Sequence, residues 1–285
     1  MKQLTAFFFA TMTVFYCNAQ VDSTGLNKIF GRKGTVTGNV YRVTFPRTDL
    51  KIAVGDFPVA PGLALTSWVA LDKMGSVSTM MGDMVMLDSE EPKVVAKLVE
   101  LGLQVTAIHN HLIGEKPAIK FLHFGGTGDA LTLAGKIRQV LAVTGTPLGA
   151  PSAANKTTPD WSAVEAVLGT KGKKSGNVIA YSFPRNEKLM EGGMEMPAPM
   201  GMATGIGLQM DGARAGATGD FVLTADEVNK VVKALTTHGI TVTAIHNHML
   251  HDDPRLFMMH FWGVGTPSGL AQGLKAALDQ TNSKR

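Results

Sequence analysis

Histidine is the residue type here whose numbers and spacing could do chemistry. The chain has eight histidines, and six of them form two triplets. His109, His111 and His123 follow the spacing H-x-H-x11-H, and His246, His248 and His260 repeat it. Imidazole nitrogens bind zinc, copper, nickel and iron. In an extended chain alternate residues share a face, and Cα atoms two apart lie roughly 6.5–7 Å from each other. A strand over Val105–His111 would therefore turn Val105, Ala107, His109 and His111 to one side. A loop over Leu112–Pro117 and an antiparallel strand over Ile119–Phe124 would bring His123 beside them. Three imidazoles with a fourth position open are the arrangement of a catalytic zinc site. Zinc is the expected cofactor, and other transition metals are compatible with the same ligands. The bland alternative is packed or exposed histidines on edge strands. The repeated spacing, with His238 and His251 unrepeated, favours metal.

Other residues could serve such a site. Glu115 and Asp252 each stand four residues after the second histidine of a triplet, where a carboxylate could be a fourth ligand or a general base. Asp83 and Asp220 each follow a glycine inside an apolar strand, an unusual place for an acid, and are further candidates for ligand or base. Arg255, where the first triplet has Ala118, could hold an anionic substrate. Arg47 and Arg185, in a repeated Phe-Pro-Arg, read as braces of the fold. Met190, Met194, Met196, Met200 and Met202 crowd together, and thioethers favour Cu(I). The equivalent segment of the first triplet's half carries Ile52, Val54, Val59, Leu63 and Leu65, so methionine there reads as ordinary apolar filling.

The elements that must position these residues occur twice. Phe45-Pro46-Arg47 recurs as Phe183-Pro184-Arg185, Gly82-Asp83 as Gly219-Asp220, and His123-Phe124 as His260-Phe261. The seven residues Val105–His111 recur unchanged at Val242–His248. This order-preserving repeat divides the chain into residues 24–145 and 161–282, with 146–160 as a Pro- and Ala-containing linker. Each half reads as a short helix, strands (39–45, 64–71 and 78–87 in the first), a capped helix, the histidine hairpin and a closing amphipathic helix. Thr224 and Glu227 form a capping box, with Gly239 as the stop. Ser89, Pro92 and Gly102 play cap, first-turn and stop in the first half. Asp160 reads as the N-cap of a helix ending at Gly169. The fold class is α+β: two tandem copies of a mixed β-sheet unit with packed helices.

Residues 1–19 read as a cleaved signal peptide. Lys2 precedes an apolar stretch too short to span a bilayer, and cleavage is expected after Ala19. Cleavage removes Cys17, the single cysteine, and a thiol-free chain suits a periplasmic or secreted location. The net charge of +4 is spread thinly, which excludes nucleic acid as a partner. No stable membrane span is expected. Neither a phosphate-binding loop of the Walker type nor a dinucleotide-binding glycine motif is present.

The duplicated Gly-Asp, the capped helix, Val-Thr-Ala-Ile-His-Asn-His, the Pro in the loop and the His-Phe strand together resemble the LppY/LpqO lipoprotein-related family. The resemblance covers nearly the whole mature chain. It implies export but no established activity, and Phe15 and Tyr16 before Cys17 depart from a lipobox. The three-histidine spacing is also similar to that of the acetolactate decarboxylase and Ptd012-like zinc proteins. The functional expectation is an exported zinc-dependent hydrolase-type enzyme acting on a small molecule. The alternatives are a non-catalytic zinc- or copper-binding or sensing protein, and a ligand-binding module with structural histidines.

Overall fold

The computed structural model describes residues 21–150 and 158–285. The expected signal peptide and the middle of the expected linker lie outside the described residues.

Two similar units follow one another. The first sheet runs Thr35–Thr37, Val40–Pro46, Thr66–Met74, Val77–Leu87, Ile119–Gly128, Gln104–His109 in spatial order. The second runs Lys173–Ser175, Val178–Pro184, Ala203–Asp211, Arg214–Thr224, Leu256–Gly265, Thr241–His246. The histidine-bearing strand is thus an edge strand in both. Every ladder is antiparallel, which corrects the mixed sheet expected from sequence. The reason is topological. The helix Glu91–Glu100 links Val77–Leu87 to Gln104–His109, two strands of the same direction. Ile119–Gly128 then inserts between them and pairs antiparallel with both.

Period-two alternation gives each sheet two buried faces. Tyr41, Val43 and Phe45 join Leu26, Leu98 and Ile137 in a core beneath the helices Ser23–Phe30, Glu91–Glu100 and Ala130–Leu141. The second unit matches it. Ile179, Tyr181 and Phe183 pack with Leu168, Leu235 and Leu274 of Ser162–Leu168, Ala225–Thr237 and Pro267–Leu278. The opposite faces of the two sheets meet. Val40, Ala70 and Met81 of the first unit pack with Met196, Met200, Met202 and Val222 of the second. These methionines fill core positions, as read from sequence.

Each unit also lends an arm to the other. The first unit's hairpin Ile52–Val54/Phe57–Val59 and helix Pro61–Ala64 reach the second sheet, where Gln209 Nε2 donates to the Pro58 carbonyl (2.7 Å) and Gln209 Oε1 accepts from Ala60 N (2.7 Å). The second unit's 190–202 segment reaches the first sheet in return. There Arg42 Nη1 donates to the Pro199 carbonyl at 2.7 Å.

The repeated motifs have defined structural roles. Arg47 is fully buried and binds Asp49, Glu90 and the Val85 carbonyl; Arg185 does the same with Glu187, Glu227 and the Val222 carbonyl. The capping box Thr224/Glu227 is present, and Glu227 ties it to Arg185. In the first unit Glu90, not Ser89, is the N-cap residue; it makes no side-chain capping bond, and its carboxylate is held by Leu87 N and Arg47 as Glu227 is by Thr224 N and Arg185. Asp160 accepts from Ser162 N one residue ahead of the N-cap Trp161, and Gly169 ends that helix in the left-handed region.

Candidate metal centre between the two sheets

The Gly-Asp and His-Phe motifs are cross-strand partners. Asp83 lies opposite His123 and Gly82 opposite Phe124; Asp220 lies opposite His260 and Gly219 opposite Phe261. A Cβ on Gly82 would stand 2.1 Å from the Phe124 ring and 2.5 Å from the Trp68 carbonyl. Glycine lets the Phe ring close onto the strand from the helix side. The neighbouring Asp and His are then fixed on the inner face.

A β-bulge sits between Val105 and Ala107, and again between Val242 and Ala244. An extra residue in one strand resets the alternation. Val105 opposes Phe124 and packs in the helix-side core, whereas Ala107 opposes His123 on the inner face. The expected single face from Val105 to His111 is corrected accordingly. The strand ends at His109, and His111 lies beyond it.

All six triplet histidines converge at the junction of the units. Their pairing crosses between halves. The rings of His109 and His246 stack at 3.8 Å between centroids, His111 lies 3.6 Å from His260, and His123 lies 3.8 Å from His248. Two of the ligand-atom groupings cross as well, His109 with His111 and His260, and His109 with His123 and His246; the third, Asp220 with His246 and His248, lies within the second half. Among the described residues, neither half's own triplet forms such a grouping. Three imidazoles of one half converging on one ion is therefore corrected: both all-histidine groupings draw on the two halves. The cause is the edge position of both histidine strands, which lie against each other. Thr106 Oγ1 donates to the His248 carbonyl and Thr243 Oγ1 to the His111 carbonyl, both at 2.7 Å.

The two aspartates face the second histidine of their own half. His248 Nε2 is 2.8 Å from Asp220 Oδ2, and His111 Nε2 is 3.4 Å from Asp83 Oδ2. His260 Nε2 lies 3.2 Å from His109 Nε2, while its Nδ1 donates to the Gly219 carbonyl at 2.7 Å. That bond holds the proton on Nδ1 and leaves the Nε2 lone pair facing the cluster. Tetrahedral ligands at zinc distances of 2.0–2.1 Å stand about 3.3 Å apart, so these separations suit donors of a shared ion.

Electrostatics follows from burial. Desolvation, with His260 and His248 adding to it, pushes the His109 imidazole down to about 2. Burial also holds His111, His123, His246 and His260 below the usual histidine range. These imidazoles are neutral, the form that binds metal. Burial and the nearby Asp220 carboxylate push Asp83 well above the ordinary range. Burial opposes ionisation of Asp220 too, but His260, His248 and His246 outweigh it and hold Asp220 low. Both ring nitrogens of His123 and of His246, with Asp83 Oδ1 and Asp220 Oδ1, are buried with no hydrogen-bond partner.

The cluster opens on a cavity of about 280 Å³ between the sheets. Asp83, His111, His123, Asp220, His248 and His260 line one side of it. Arg42 and Trp68 line another, against the small residues Ala180, Ala203, Gly205 and Gly207.

The remaining predicted site residues lie elsewhere. Asp252 Oδ1 accepts from Arg255 Nη1 (2.8 Å), and its Oδ2 accepts from Leu256 N. Glu115 Oε1 accepts from Ile119 N at 3.3 Å. Both acids brace their own hairpins, and neither lines the cavity or joins a ligand grouping. Arg255 is exposed and paired with Asp252. The roles expected of Asp252, Glu115 and Arg255 are corrected on this ground: an amide four residues on, or a near neighbour, already uses each one. Arg42 and Trp68 were missed. The signal for them was departure from the repeat, since Ala180 and Gly205 occupy their places in the second unit.

A family model described as a domain of unknown function (DUF1259) matches residues 24–143 and 162–280. The chain belongs to this family and carries its domain twice. No curated protein matches. Among solved structures, a trimeric bacterial microcompartment shell protein, PduB, matches at 12% identity over 87% of this chain and 89% of that chain, with a TM-score of 0.21. So weak a likeness carries no argument.

Proposed function

We propose that the protein is a metal-dependent enzyme of hydrolase type whose centre is shared by the two halves. One ligand set is His109, His111 and His260 with Asp83 beside it. Its counterpart under exchange of the halves is His246, His248 and His123 with Asp220. The observation that carries this reading is the orphaned polar atoms. A buried polar atom without a partner costs roughly 1–3 kcal/mol. Six of them, on His123, His246, Asp83 and Asp220, would consume most of a net stability of about 5–15 kcal/mol. A cation held by these atoms removes that cost. Zinc suits an imidazole–carboxylate set with no thiolate, and when bound it would polarise a substrate oxygen and acidify water. The histidines hold the centre in the neutral form, Asp83 and Asp220 accept and return protons beside it, and the cavity admits a small molecule. That cavity favours an enzyme over a storage or sensing protein, whose ligand would be the metal alone.

The reading includes export, with cleavage after Ala19, to the periplasm or the medium. It also includes kinship with LppY/LpqO-like exported domains and a distant likeness to the decarboxylase-type zinc fold. Among the described residues no helix is long and apolar enough to cross a membrane.

Elemental analysis of the purified mature protein tests the centre. Stoichiometric zinc or another transition metal is expected, and both His260→Ala and His123→Ala should lower it. Metal-free protein of full thermal stability would end the metal reading. A loaded protein that turns over no small ester or amide would leave metal binding without catalysis.

A further inference from the structure

Arg42 is the one cation among the residues lining the cavity, and the proposed metal chemistry leaves it without a task. It sits on Val40–Pro46, on the sheet face opposite Tyr41, Val43 and Phe45. Its guanidinium lies over the Trp68 ring, 3.9 Å from the centroid. Nη1 donates to the Pro199 carbonyl of the second unit's arm. Among the described residues that carbonyl is its single hydrogen-bond acceptor, and no carboxylate pairs with it within 4.0 Å. Arginines placed like this are ordinarily paired. The buried Arg47 and Arg185 each hold two carboxylates. Desolvation lowers Arg42 to about 10, with Asp83 partly opposing the shift. At neutral pH it is therefore a charged group inside a cavity with its Nε and Nη2 edge unused. Trp68 and the Pro199 carbonyl fix the plane of the fork.

We infer that Arg42 is the anchor for a carboxylate group on the molecule that occupies this cavity. The inference deepens the proposed function, naming the substrate class as small carboxylate-bearing molecules, and rests on that reading for its catalytic meaning only. A planar guanidinium with two free N–H groups on one edge matches a carboxylate bidentately. One cation beside two aspartates matches a monoanion better than a dianion, so phosphate is disfavoured. Room for the rest of the molecule comes from the second sheet, where Ala180 and Gly205 replace Arg42 and Trp68. The anchor therefore exists on one side only, and it orients the ligand between two otherwise similar half-sites.

Calorimetric titration of the full mature chain tests this, with acetate, pyruvate and benzoate as probes beside acetamide, benzamide and inorganic phosphate. Carboxylates should bind more tightly than the matched amides and than phosphate. Arg42→Gln should weaken carboxylate binding about tenfold or more, as loss of a charged hydrogen-bonded contact does. Arg42→Lys should keep part of it, and Arg255→Gln should change nothing. Melting temperature and metal content are read on every variant. A folded Arg42→Gln protein that binds carboxylates as wild type does would overturn the inference, as would tighter binding of phosphate or of the amides. Absence of metal from the wild type would instead count against the proposed function, and the titration would still report on Arg42.

Discussion

At the residue scale, the same side-chain types are used in opposite ways. Glu187, Glu227, Asp49 and Glu90 neutralise two buried arginines and hold corners of the fold. Asp83 and Asp220 face histidines instead. The structural pairs carry a pH dependence of stability. Burial works against Glu187, but hydrogen bonds from Arg185 and Asn282 outweigh it and hold its carboxyl at about 2, against 4.5 ordinarily. A depressed carboxyl contributes stability that is complete above its unfolded value and is lost as pH falls through the folded value. Glu187→Gln should therefore lower the urea midpoint at pH 7, and the gap from wild type should close between about pH 4.5 and pH 2. A gap unchanged at low pH would show that Glu187 acts by packing. The six histidines, Asp83, Asp220 and the bracing arginines were legible in the sequence because a repeat isolates them from background. Which histidine meets which was not legible. Spacing along one chain describes the geometry within a half, whereas His111 meets His260 and His123 meets His248 across the junction.

At the element scale, two small devices set the centre. The first is the glycine opposite each phenylalanine. Gly219→Ala would drive a Cβ to 2.1 Å from the Gly205 carbonyl and 3.0 Å from the Phe261 ring. Overpacking of this kind costs about 1–3 kcal/mol. Gly205→Ala meets nothing within 4 Å and should leave stability nearly unchanged, so chemical denaturation of the pair separates close approach from general glycine effects. The second device is the threonine in the bulge region. Thr106→Val removes the donor to the His248 carbonyl and should cost about 1–2 kcal/mol. If the metal reading holds, it should also lower metal affinity, although Thr106 is no ligand. An unchanged denaturation midpoint would mean that water replaces the hydroxyl. Strands, capped helices and hairpins were readable from alternation and from Gly and Pro punctuation. The bulge was not, because a one-residue irregularity leaves no compositional trace. The insertion of Ile119–Gly128 between two strands of like direction was hidden for a related reason: pairing partners are chosen by tertiary packing.

At the scale of the whole molecule, the halves are interdependent. Their inner faces and exchanged arms bury Met81, Met196, Met200 and Met202 in one cluster, and Ile52, Leu65, Val85 and Phe121, with Trp262 packed against them, in another. Exposed apolar faces of that extent do not persist on soluble monomers. Residues 21–150 and 158–285 produced as two chains in one cell should copurify through a tag on either one. Recovery of each as a separate soluble monomer would show that the junction is dispensable. Two copies of a unit were evident from the repeat, but their face-to-face arrangement was not. The apolar inner strands read equally well as the buried centre of an independent domain.

The crossed threonine bonds have a consequence beyond this chain. Exchanging the halves turns Thr106 to the His248 carbonyl into Thr243 to the His111 carbonyl. Contacts that map onto themselves in this way are the signature of an isologous, twofold interface. A chain with a single copy of this unit could form neither all-histidine grouping alone and would need an identical partner to do so, its histidines gathered on the dimer axis. Such a homodimer is bound to be symmetric. Fusion into one polypeptide frees the two sides to differ, and an arginine and a tryptophan on one face of the cavity, opposite alanine and glycine on the other, is a difference that no symmetric dimer could hold.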